Sequence, residues 1–82
     1  MDRVNILLVG AGGGGHGSSI LKALNLSSLN LNIVAADMSP RLIHTADAAT
    51  KEIIPPVSSS SYLDEIEKLV KKYSINAMFT GS

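Results

Sequence analysis

Three features of this 82-residue chain predict an α/β fold built on a parallel sheet. The first is Val4–Val9, a nearly unbroken apolar run rich in branched residues, as expected of a strand buried on both faces. The second is the placement of six of the seven glycines in residues 10–17, directly after that run. The third is the rest of the chain, where short apolar runs alternate with helix-start signals, the order that builds strand–helix–strand units.

The glycine-dense residues 10–17 are expected to be irregular, since glycine disfavours both helix and strand interiors. Ser18 and Ser19 then offer a cap for a first helix whose apolar stripe is Ile20, Leu21, Ala23 and Leu24, ending near Leu26. Residues 33–36 read as a second buried strand, closed by Asp37. Ser39-Pro40 is a helix start, with serine as the cap and proline where its missing N–H does no harm, and this short helix is expected to reach residue 46 or 49. A third strand over residues 52–54 is stopped by Pro55-Pro56.

Ser61, with Asp64 three residues on, is a variant of the capping box for a helix over residues 62–73. Its apolar stripe is Tyr62, Ile66, Leu69, Val70 and Tyr73, with acids at the start and lysines at the end as the helix dipole favours. Asp64/Lys68 and Glu67/Lys71 are expected to pair one turn apart. Residues 77–79 form a fourth strand, and Thr80-Gly81-Ser82 begins a loop. Met38 and Met78 are read as core filler. Right-handed crossovers arrange the strands 3-2-1-4, a Rossmann-like three-layer α/β/α half fold with the glycine loop at the carboxyl edge of its sheet.

Composition narrows the functional classes. Seven basic residues balance seven acidic ones and are scattered, so no field draws nucleic acid or an anionic membrane, and three aromatic rings make no stacking platform. The absence of cysteine excludes disulfides and thiolate metal sites, and no apolar run spans a bilayer. The N-terminus enters a strand directly, without a signal-peptide pattern, which points to the cytoplasm. No catalytic triad, carboxylate pair or metal-ligand spacing is present, so no residue is assigned a catalytic or metal role.

The candidate site is the loop itself. Gly10, Gly12 and Gly15 fit a G-x-G-x-x-G spacing, and so do Gly12, Gly14 and Gly17, with Gly13 between. In five glycines among six residues such a match is almost automatic; its place between a buried strand and a helix is what gives it value. There, several N–H groups can converge on one anion beside a helix N-terminus. His16 offers a donor or proton shuttle inside the loop. No Lys-Ser/Thr follows, so a phosphate-loop NTPase is not expected. Asp37 stands where a dinucleotide fold keeps the acid that binds a ribose diol, 27 residues after Gly10 rather than about 20. It equally suits an acid that caps the Met38-Ser39-Pro40 turn.

The runs Ile6-Leu7-Leu8-Val9-Gly10-Ala11-Gly12-Gly13-Gly14, Ala36-Asp37-Met38-Ser39-Pro40, Ala46-Asp47, Ile54-Pro55-Pro56-Val57, Tyr62-Leu63 and Ile75-Asn76-Ala77 together resemble the N-terminal domain of ATP-grasp ligases. The likeness is greatest to carbamoyl-phosphate synthase large-chain-like and related carboxylate–amine ligases. It covers nearly the whole chain, through the order and spacing of its motifs rather than any one of them. The resemblance implies a domain on the substrate side of the cleft, with Gly12, Gly13, Gly14, Gly15 and His16 facing a small anionic substrate and Gly81 beside them. It implies that ATP and Mg²⁺ are held by the ATP-grasp domain, supplied in cis or in trans, and that this piece, residues 1–82, holds no cofactor and is inactive alone. On this reading the chain is the N-terminal fragment of a longer ligase.

Two other readings stay open: an NAD(P)-binding domain of an oxidoreductase, and a stand-alone binding or self-association module. The isolated chain is also expected to self-associate through the edge of residues 77–82 or the surface next to it, most simply as a two-fold homodimer, because nothing in the sequence protects that edge.

Overall fold

A computed structural model describes residues 3–10, 16–27, 29–46 and 48–80, and for residues 16–18 the backbone alone. The elements run β1 (Val4–Val9), α1 (His16–Asn25), β2 (Leu31–Asp37), α2 (Pro40–Ile43), β3 (Thr50–Ile53), α3 (Tyr62–Lys72) and β4 (Ala77–Thr80). All three strand pairings are parallel and the order is β3-β2-β1-β4, the expected 3-2-1-4.

Alternation along β1 divides the core. Leu7 and Val9, with Val34, Ala36 and Ile54, face α3 and pack on Ile66 and Leu69. Leu8, with Ala35, faces the other way and packs on Leu21 of α1 and on Ile43 and Ala46 at the end of α2. Leu7, Leu8 and Val34 have no exposed surface, each contributing roughly 1.5–3 kcal/mol of apolar burial. The α3 stripe is as expected: Tyr62, Val70 and Tyr73 flank its two buried residues.

Several boundaries and contacts differ from the sequence reading. Helix α1 begins at His16, so His16 and Gly17 are helical rather than part of an irregular loop. Strand β3 starts at Thr50 and ends at Ile53. Ser61 does not cap α3 through its side chain, because its backbone is already near-helical (φ −92°, ψ 0°) and its Oγ meets Ser59 Oγ at 2.9 Å instead. Lys68 pairs with Glu65 at 3.0 Å rather than with Asp64, while the Lys71–Glu67 pair forms at 3.1 Å. Both pairs are well exposed and contribute little. Met38 and Met78 are exposed, at 61% and 50%, and fill no core.

Two polar devices hold the layers in register. At the amino end of the sheet Asn5 joins three segments. Its backbone N–H donates to Asn76 Oδ1 (2.8 Å) and its C=O accepts from Asn76 N–H (2.8 Å). Its side-chain Nδ2 donates to the Ser74 carbonyl (3.1 Å), and its Oδ1 accepts from Asn32 Nδ2 (3.2 Å). Across the α3 face, the Tyr73 hydroxyl donates to Glu52 Oε2, which also accepts from Lys72 Nζ at 3.2 Å. The Tyr73 hydroxyl holds the Glu52 carboxyl below its ordinary 4.5, aided by Lys72 against the opposing effect of burial. The same bond to Glu52 raises Tyr73 above its ordinary 10.0.

Helix α3 ends in a Schellman turn. The Ile75 N–H donates to the Val70 carbonyl (3.0 Å) and the Ser74 N–H to the Lys71 carbonyl (3.4 Å), with Val70 and Ile75 both on the core. The turn requires a left-handed residue, and Ser74 takes φ 50°.

Two outcomes follow from these features. Ser74→Gly removes the left-handed cost and is expected to stabilise the chain by up to about 1 kcal/mol in urea unfolding; a loss of stability contradicts the account. Glu52 is depressed, so its contribution is complete above the unfolded-state value and lost as pH falls below 4.5. Tyr73 is raised, so its contribution is lost as pH climbs past 10.0. Tyr73→Phe is expected to cost about 1 kcal/mol at neutral pH and to flatten both limbs of the stability–pH curve.

Candidate functional site

The carboxyl ends of the strands form the edge where the candidate site lies. Strand β1 is the reversal point of the sheet, with β2 on one side and β4 on the other, and open α/β sheets place their ligands beyond such a point. Val9 ends β1 and α1 begins at His16, so residues 10–15 bridge the central strand and the helix N-terminus. That is the strand–loop–helix context in which a glycine loop can present N–H groups to an anion.

Gly10 adopts φ 79°, a left-handed turn that a Cβ would penalise, and this sends the chain out of the sheet. Its own N–H donates to the Ala36 carbonyl at 2.8 Å. The amide of Gly10 is therefore committed to β2, and its contribution to the site is the turn rather than a donor. Gly12, Gly13, Gly14 and Gly15 lie outside the described residues, as does Gly81. His16 contributes the first turn of α1 through its backbone.

Asp37, the last residue of β2, is 8% exposed. Its Oδ1 accepts the Ser39 N–H at 3.0 Å, and its carbonyl accepts the Ile54 N–H at 3.0 Å. Ser39 in turn caps α2, with Oγ accepting from Leu42 N–H at 3.2 Å and Pro40 at the first helical position. The carboxylate thus folds the chain back from β2 into α2 and seats Ile43 and Ala46 in the core. Of the two roles open to Asp37 in the sequence, the turn-holding one is formed.

Thr80 was not singled out from the sequence. The register pairs it with Val9, which brings its backbone to the same edge as Gly10, on the β4 side. The signal for it lay only in the strand register, since a lone threonine after an apolar run is unremarkable in sequence. Among the described residues no group of three His, Cys, Asp or Glu side chains is arranged to hold a metal, and no helix is long and apolar enough to cross a membrane.

Because Asp37 carries a buried turn, Asp37→Ala is expected to destabilise the chain by about 1–3 kcal/mol, leaving the Ser39 N–H without its acceptor. Asp37→Asn keeps an acceptor oxygen and is expected to cost less. Equal melting temperatures for Asp37→Ala and the parent contradict this role. Comparison with protein-family models and with curated proteins matches the chain to none.

Proposed function

We propose that the chain is the substrate-side, Rossmann-like domain of an ATP-grasp carboxylate–amine ligase of the carbamoyl-phosphate synthase large-chain-like kind, working in the cytoplasm. In this role the loop after β1 binds a small anionic substrate group, and ATP with Mg²⁺ belongs to an ATP-grasp domain rather than to this one. The domain positions substrate and performs no chemistry by itself.

The observation that favours this reading over a dinucleotide site is the state of Asp37. A ribose-binding acid must present its carboxylate to the crevice, whereas this one is buried and accepts from the backbone of its own turn. The glycine-dense loop between the central strand and α1 supports an anion site, and the neutral chain, with scattered charges, argues against a polyanion.

Thermal melts with different ligands test the assignment. A ligand at 100 times its dissociation constant adds about 2.7 kcal/mol of stability. Short-chain carboxylates or inorganic phosphate are expected to raise the melting temperature in a saturable way, and NAD to leave it unchanged. ATP–Mg²⁺ is expected to give no heat of binding in calorimetry. A rise with NAD that disappears in Asp37→Asn overturns the reading in favour of an oxidoreductase domain, and micromolar binding of ATP–Mg²⁺ overturns it in favour of a nucleotide site.

A further inference from the structure

Among the described residues β4 is the strand at one side of the sheet, and its hydrogen-bonding pattern fits a second copy of itself. On β1, the N–H of Val4 donates to the Asn30 carbonyl at 2.9 Å and the N–H of Gly10 to the Ala36 carbonyl at 2.8 Å. Even-numbered residues of β1 thus point their backbone groups to β2, and successive residues of a strand point to opposite neighbours. Leu7 and Val9 then face β4. With Leu7 opposite Met78 and Val9 opposite Thr80, it is Ala77 and Phe79 that bond to β1. Met78 and Thr80 direct their N–H and C=O groups away from the sheet.

We propose that the chain forms a two-fold dimer by antiparallel pairing of β4 with β4 of a second copy, centred on Phe79, to give a continuous eight-stranded sheet. A two-fold axis normal to the sheet keeps each face in register with itself, so only pairs on the same face can lie opposite one another. Centring on Phe79 meets that condition. It sets Met78 against Thr80 of the second copy on both sides of the axis, and all four outward N–H groups find carbonyl acceptors. It also sets Phe79 against Phe79 as the close, non-hydrogen-bonded pair, where aromatic side chains meet across strands. Met78 and Phe79 are 50% and 42% exposed in the single chain, and this contact covers both.

Charge points to a second copy rather than to a charged partner. Ala77–Thr80 carries no ionisable group and the whole chain has zero formal net charge, so two copies approach without repulsion. The opposite edge is built differently. Strand β3 carries exposed Lys51, its Glu52 is engaged by α3, and Pro55-Pro56 follows it closely.

Sedimentation equilibrium over low to high micromolar concentration, combined with amide exchange, tests the proposal. The expected mass rises from 8.6 kDa toward twice that value, with the Met78 and Thr80 amides gaining protection as dimer forms. Phe79→Lys is expected to hold the chain at 8.6 kDa with its circular dichroism unchanged. The native chain has no cysteine, so Phe79→Cys adds a single thiol. At this pairing the two Cα atoms lie about 4.5 Å apart, within disulfide range, and mild oxidation is expected to yield a covalent dimer. Ile53→Cys on the other edge is expected to associate as the parent does but to form no covalent dimer under the same treatment. A monomer at every concentration overturns the proposal. So does a dimer in which Met78 and Thr80 exchange freely, or one in which Ile53→Cys cross-links and Phe79→Cys does not.

Discussion

The rest of the molecule depends on β1 being bonded on both edges and buried on both faces. A strand in that position must be apolar almost throughout, and from Ile6 to Val9 every residue is buried. Its two faces sort the helices, with α3 packing on the side of Leu7 and Val9 and α1 and α2 on the side of Leu8. Because both neighbours run parallel to it, every connection must cross over the sheet, and the strand order reverses at this one element. The crevice at the carboxyl edge is a consequence of that reversal. The residue that leaves β1 there needs a left-handed turn, and Gly10 supplies it.

The two ends of the sheet have opposite chemical characters. At the amino end, Asn5, Asn32 and Asn76 satisfy one another and the Ser74 carbonyl, so the polar groups there are spent on holding β1, β2 and the approach to β4 together. At the carboxyl end, Asp37 is likewise spent on its own turn, and Gly10 on β2.

Much of this was legible in the chain. Strand order followed from four apolar runs joined by helical segments and the handedness of crossovers, and the α3 stripe from its period. What escaped were features that depend on atoms brought together by folding. Asn5 reads as an interruption of an apolar strand, yet its value comes from Asn76 and Ser74, about seventy residues away. β2 extends back to Leu31 because Asn32 is engaged by Asn5, which polarity alone would assign to a turn. Ser61 has the right composition for a cap, but its backbone conformation and its contact with Ser59 remove the side chain from that role. Met38 and Met78 were misjudged because apolar character does not say whether a residue ends up on a rim or an edge. At the site, the residues alone left the role of Asp37 open between ribose and turn; the bond from Ser39 N–H shows the turn contact, which depends on the backbone that folding brings to it.

The proposed anion site lies between the end of β1 and the start of α1. Titration of the isotopically labelled chain with inorganic phosphate, followed by amide chemical shifts, measures this most directly. Saturable shifts confined to residues 10–19 are expected, with the amides of Asn5, Asn32 and Asn76 at the far end of the sheet unmoved. Shifts centred instead on the amino end, or no saturable shift anywhere, contradict the proposal.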